Sequence, residues 1–122
     1  MLSKKQSHWL DKAMDLAYNS QCRQQHGAII VKSNRVLGLG INKNKNHPTI
    51  CTNPKLQAAV HAEIAALKSC QGDTKGATIY VARRNNRGKQ MMSKPCSSCQ
   101  EALREAGIKK IIYTVDSEME LC

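Results

Sequence analysis

The chain has 122 residues, enough for one domain with a modest core. Its 41 % hydrophobic content excludes a disordered chain, and no apolar run reaches the ~18 to 20 residues needed to cross a bilayer. The net charge of +10 is unevenly laid out: no acid lies between Asp15 and Glu63, and only Asp73 lies between Glu63 and Glu101.

The basic residues of those two stretches create a field that attracts phosphate, so phosphate-bearing partners are expected and a membrane is not. The start, Met1-Leu2-Ser3-Lys4-Lys5, leads into an amphipathic segment and not into the apolar stretch of a signal peptide. A soluble, intracellular, cytoplasmic protein is the expectation. Phe is absent, so the core is expected to be built from Ile, Val, Leu, Ala and Met.

Residues 7–19 carry Trp9, Leu10, Ala13, Met14, Ala17 and Tyr18 on one stripe at helical spacing, with Ser7 as N-cap and Ser3 as its competitor. Trp9 and Tyr18 are read as core. Residues 27–33 and 36–41 read as two strands joined by Ser33-Asn34-Arg35, a hairpin whose Gly38 and Gly40 either weaken it or let something approach closely. Residues 42–56, polar with Pro48 and Pro54, read as a long loop of functional interest. A helix is expected over 59–70, ended by Gln71-Gly72, and a third strand over 77–82. A basic loop over 83–94 follows, then a helix from Pro95-Cys96 to Ala106, and a fourth strand over 108–115. Asp116 to Cys122 are too few for a further helix and strand. The order is helix, strand, strand, helix, strand, helix, strand. It implies an α/β sandwich with a mixed sheet, an antiparallel hairpin followed by parallel βαβ units, in one domain over 1–122.

Six cysteines without a secretion signal point to metal before disulfides. Two short motifs carry the chemistry: His61-Ala62-Glu63 and Pro95-Cys96-Ser97-Ser98-Cys99. Cys96 and Cys99 are three apart, on one face of a first helical turn, where the helix dipole favours thiolates. A structural zinc site wants a second half of similar form, and this chain offers one histidine with a carboxylate beside it. Three ligands, His61, Cys96 and Cys99, leave the fourth tetrahedral position open, which is the catalytic pattern for Zn2+. Glu63, at what reads as an exposed first turn, can then take and give a proton. Small Ala62 between them allows a close approach to the backbone. Cys22, Cys51, Cys70 and Cys122 receive no role, and neither Cys51 nor His47 is expected at the metal.

H-x-E followed by P-C-x-x-C resembles the signature of the zinc-dependent cytidine/deoxycytidylate deaminase-like superfamily. Gly27-Ala28-Ile29-Ile30-Val31 is similar to that family's first strand, and Gly40-Ile41-Asn42 to the end of its second. The resemblance implies the three-layer α/β/α sandwich of the cytidine deaminase-like fold. It also implies zinc on His61, Cys96 and Cys99, and Glu63 as the proton shuttle. Asn42 would then contact the sugar or base of the substrate, and the backbone N–H of Ala62 would hold the base. The implied reaction is attack of activated water at C4 of cytosine, with Glu63 protonating N3 and then the leaving amine, so that ammonia departs and a uracil-type base remains. Members often associate, which makes a homo-oligomer an option. Lys94 before Pro95 and Ser98 inside the motif depart from the Glu-Pro-Cys-x-Met-Cys of the tRNA-editing adenosine deaminases, which favours cytosine.

The loops ahead of the two motifs border the expected mouth. His47, Arg83, Arg84, Arg87 and Lys94 are therefore the candidate phosphate or stacking contacts. His26 and Tyr80 are read as packing or capping locally. Small size and few aromatics favour a free cytidine or deoxycytidine nucleotide such as dCMP, since polynucleotide sites stack bases on aromatic side chains. Cytosine in single-stranded DNA or RNA is the second reading, and a non-catalytic zinc-stabilised nucleic-acid-binding module is a third from another class.

Overall fold

The computed structural model describes residues 3–20, 25–44, 59–85, 89–93 and 97–114. The first helix, α1, spans Lys4–Ala17. It starts one turn earlier than Ser7 because Ser3 and Gln6 cap it reciprocally. The Ser3 hydroxyl accepts the Gln6 N–H at 3.1 Å and the Gln6 amide oxygen accepts the Ser3 N–H at 3.0 Å. Two donors that a helix start leaves without partners are thereby satisfied. Ser7 already donates to the Ser3 carbonyl and so lies inside the helix.

The hairpin follows as β1 (Gln25–Lys32) and β2 (Arg35–Ile41), antiparallel. Its two-residue connection, Ser33-Asn34, takes positive φ at both positions, the twist that matches paired strands. A bulge between Ile30 and Val31 leaves Leu37 as the extra residue of β2.

A short pair, β3 (Lys43–Asn44) and β4 (Ala59–Val60), stands outside the main sheet. Residues 59–60 therefore extend as strand, and α2 is Ala62–Ser69 rather than the whole of 59–70.

The third main strand, β5 (Thr78–Arg84), is longer than 77–82. It turns back as β6 (Gln90–Met91), pairing Arg83 with Met91 and Arg84 with Gln90. The stretch read as a plain basic loop is thus partly a hairpin arm. Helix α3 is Ser97–Glu105 and β7 is Lys110–Tyr113.

The main sheet runs β2-β1-β5, with β7 parallel to β5 and β1 antiparallel to it. Because β1 is antiparallel to both β2 and β5, the latter two run the same way with β1 between them. The crossover through α2 therefore skips one strand. Helix α1 covers one face, and α2 and α3 cover the other, which is the three-layer α/β/α sandwich.

Alternation divides the core. Ile29, Val31, Tyr80 and Ala82 pack with Leu10 and Ala13 of α1, and Trp9 lies against them. Ala28, Ile30, Ile79 and Val81 pack with Ala62 and Ala66 of α2 and Leu103 of α3. Burying each large aliphatic contributes about 1.5–3 kcal/mol. Tyr18, read as core, is 65 % exposed and lies under the Arg84 guanidinium, 4.6 Å from its carbon.

Gly40 decides how closely α2 approaches. A Cβ there would sit 2.5 Å from the Ala66 nitrogen and 2.7 Å from the Ala62 carbonyl oxygen. The helix start that carries the first motif is therefore pressed onto β2. The outward backbone of this edge strand is closed by the end of α2: the Ser69 hydroxyl accepts the Leu39 N–H at 2.9 Å, and Gln71 N–H donates to the Leu37 carbonyl at 3.0 Å.

Candidate metal centre and active site

His61 is the N-cap residue of α2, in extended backbone (φ −74, ψ 140). A Ser or Asp at this position would turn onto the helix N–H groups. The imidazole makes no such bond and crosses instead to α3, where its Nδ1 lies 3.1 Å from the Sγ of Cys99. Cys99 is the third residue of α3 and is 2 % exposed. Ligand atoms of His61, Glu63 and Cys99 all fall within 4.8 Å of one another.

Glu63 is not on an exposed turn as the sequence suggested. It is 3 % exposed, because the packing of α2 onto the sheet carries the second helical residue inward. Burial raises its carboxyl above the usual carboxylate range. Its own backbone N–H, the His61 ring and the Cys99 thiol pull the other way. One oxygen, Oε1, is buried with no hydrogen-bond partner among the described residues. A buried acceptor left in this state calls for a protic group in the adjoining space.

The donor set fits zinc. Bonds of about 2.0 Å to nitrogen and 2.3 Å to sulfur at a tetrahedral angle separate the two ligand atoms by about 3.5 Å. The observed 3.1 Å therefore needs an adjustment of only a few tenths of an ångström. Cys96, the remaining expected ligand, lies outside the described residues, as do His47, Arg87 and Lys94.

Ser93, the last described residue before α3, belongs to a buried polar knot. Ser93 is 3 % exposed and Thr114 2 %. The Ser93 hydroxyl donates to the Val81 carbonyl at 2.7 Å and accepts the Thr114 N–H at 2.9 Å. The Thr114 hydroxyl donates to the Met91 carbonyl at 2.6 Å, and Ser93 N–H donates to the Thr114 carbonyl at 2.9 Å. Strand β5 and the ends of β6 and β7 are thus joined through Ser93 and Thr114.

Ala62 is fully buried and its methyl belongs to the core, so only its backbone is available to a substrate. Its N–H, in the first helical turn, has no acceptor within the helix. Asn42 acts first as a strut: its side-chain oxygen accepts the His26 N–H at 2.8 Å and the Ser20 hydroxyl at 2.7 Å.

The two described arginines part company. Arg83 shares parity with Ile79 and Val81, on the face of the metal group, and its Nη1 donates to the Met92 carbonyl at 3.3 Å. Arg84 shares parity with Tyr80 and Ala82 and stacks on Tyr18, so its guanidinium belongs to the opposite face and not beside the metal group. Tyr80 packs in that same core, next to Trp9.

His26, read as a local packing residue, is brought to the site. It pairs across strands with Arg83 and shares the parity of Ala28 and Ile30. Burial lowers its imidazole pKa to about 4, helped by the charges of Arg83 and His61. The alternation along 26–30 carried this signal, since a strand residue of the same parity as Ala28 must face α2.

Residues 3–115 match the family model described as the cytidine and deoxycytidylate deaminase zinc-binding region. The chain belongs to that family. It is a zinc-dependent deaminase, and its His/Glu/Cys group fits the Zn2+ that this family region binds. Deoxycytidylate deaminase of Mycobacterium phage D29 is 31 % identical over 130 residues, covering 90 % of this chain and 94 % of the phage enzyme. Human deoxycytidylate deaminase is 29 % identical over 126 residues, covering 88 % of this chain and 65 % of the human one. Among solved structures, the apo dCMP deaminase of cyanophage S-TIM5 superimposes with a TM-score of 0.67 at 26 % identity, covering 93 % of this chain and 84 % of that one. No helix of the deaminase is long and apolar enough to cross a membrane among the described residues.

Proposed function

We propose that this deaminase acts on a free cytidine or deoxycytidine nucleotide such as dCMP, within a single domain, with zinc on His61, Cys96 and Cys99 and proton transfer by Glu63. The observation that carries the catalytic part is the meeting of the His61 Nδ1, the Cys99 Sγ and a buried carboxyl group with an unpartnered oxygen. For the substrate, support comes from the phage deoxycytidylate deaminase, which this chain spans almost end to end.

Zinc, when bound, supplies the Lewis acidity that makes a nucleophile of water near neutral pH. The chain supplies the rest. Glu63 accepts a proton from that water and delivers it to N3 of the base, then takes the second proton from the oxygen now on C4 and passes it to the exocyclic nitrogen. The C4–N4 bond breaks, ammonia leaves and C4 keeps an oxygen, giving the uracil-type product. Burial suits Glu63 to the first half of this task, because a carboxylate whose pKa is raised takes a proton from water more readily. The Ala62 N–H at the helix start and Asn42 address the polar edge of the base or sugar. Arg83, on the metal face, is the described residue offered to the phosphate, and His47, Arg87 and Lys94 are offered with it.

The test is ammonia release from dCMP, CMP, deoxycytidine and a cytosine-containing single-stranded oligonucleotide, side by side on the zinc-loaded protein. The expected result is fastest turnover on a mononucleotide. Conversion of the oligonucleotide with none of the monomers overturns the substrate assignment.

A further inference from the structure

On the metal face of the sheet, the last side chains of β1 and β5 before the site are His26 and Arg83. They are direct cross-strand partners, placed one alternate position beyond the Ala28 and Val81 that pack under α2 and α3. Side chains paired in this way have Cβ atoms about 4.5–5.5 Å apart and act as a unit. Each is held. The His26 backbone is gripped twice by Asn42, whose side-chain oxygen accepts its N–H at 2.8 Å and whose own N–H donates to its carbonyl at 3.3 Å. Asn42 is itself fixed by the Ser20 hydroxyl. Arg83 is anchored by its Nη1 to Met92 and by its backbone N–H to the Thr114 hydroxyl at 3.2 Å. Burial and the neighbouring Arg83 guanidinium keep the His26 ring uncharged at neutral pH.

We infer that His26 and Arg83 together form the subsite that selects a phosphorylated nucleoside over a free one, with His26 a specificity-determining residue of the deaminase. This rests on the nucleotide reading above and names the residues behind it. Arg83 supplies a fixed positive charge that attracts a phosphate. The uncharged imidazole supplies one N–H donor beside it. A fixed guanidinium with a neighbouring neutral donor is complementary to an anion. It is a poor match for an uncharged sugar hydroxyl, which gains little from the guanidinium charge. The Asn42 struts keep the pair in place before substrate arrives, so little conformational freedom is lost on binding.

The experiment titrates zinc-loaded wild type, His26→Val, His26→Gln and Arg83→Gln with dUMP and with deoxyuridine by calorimetry, with zinc content measured for each and dCMP turnover followed in parallel. Wild type should prefer dUMP. Loss of one bond to a charged group should weaken dUMP by at least about tenfold in His26→Val and Arg83→Gln, leaving deoxyuridine within about twofold. His26→Gln, which keeps an N–H donor and reports even if the valine variant does not fold, should recover part of the loss. Equal weakening of both ligands would place the imidazole against the base and overturn the inference, as would unchanged dUMP binding in the two histidine variants. Wild type that binds dUMP in preference but does not deaminate dCMP would sink the catalytic reading and leave the subsite standing. Wild type that binds neither would sink both.

Discussion

The two faces of the sheet are cut from alternate residues of the same strands, and they have been put to opposite uses. On the α1 face, Ile29, Val31, Tyr80 and Ala82 meet Leu10 and Ala13, and Trp9 and Tyr80 lie 6.4 Å apart between ring centres. This face ends in an arginine resting on an exposed tyrosine. On the α2 face the packing residues at the helix contact are small. Ala28, Ala62 and Ala66, opposite Gly40, let two helix starts come close to the sheet, and there His61, Glu63 and Cys99 converge. The difference teaches what lets one packed face also carry chemistry. Both faces bury large aliphatics, Ile30, Ile79, Val81 and Leu103 among them on the α2 face, but there alanines at the helix contact leave backbone and polar groups within reach. Neighbouring Arg83 and Arg84 show the division in a single step of the chain.

The largest expected effect breaks the α2 face alone. Glu63→Ala should lower turnover by at least ~10²-fold, the low end for loss of an acid–base group, while zinc content by metal analysis and the circular dichroism spectrum stay as in wild type. Unchanged turnover would remove Glu63 from the reaction.

The next effect is in pH. The folded His26 titrates near 4 against an ordinary 6.5, so the folded state resists a proton that the unfolded chain accepts. Its stabilising contribution is complete above about 6.5 and is lost as pH falls toward 4. This amounts to on the order of 2 kcal/mol for a ring still partly exposed. Urea unfolding of the metal-free protein at pH 7 and pH 4.5 should show the loss, and His26→Gln should flatten it. The same acid limb in both proteins would mean another group sets it.

The smallest effect belongs to the α1 face. Tyr18→Ala removes an exposed ring–guanidinium contact and should cost less than about 1 kcal/mol in thermal unfolding, with turnover within twofold of wild type. A tenfold fall in turnover would draw that face into the site and blur the division.

Much of this was legible from residue order. The spacing of Cys96 and Cys99, with His61 and the carboxylate two residues from it, leads to the expectation of an open zinc site. Hydrophobic periodicity places the helices and strands of the sandwich, because local pattern and local geometry share a period. Boundaries were less legible. Ser3 won the helix start from Ser7 through a reciprocal bond with Gln6, and residues 59–60 left the helix to pair with 43–44. The run 83–94 read as loop because its basic residues hide a short antiparallel return.

The sequence by itself determined the chemical types that meet in the described structure, an imidazole, a thiol and a carboxyl group, since the identities of donors do not depend on the fold. Tertiary structure alone decided their states and company. Glu63 became a buried acid because α2 is pressed onto Gly40, Tyr18 was left outside the core, and Arg84 was turned away from Arg83. His26 came to stand beside the site because β1 pairs with β5, a contact 57 positions apart in register that no local pattern encodes. Burial and long-range pairing set pKa values and neighbours, and both exist only once the chain has closed on itself.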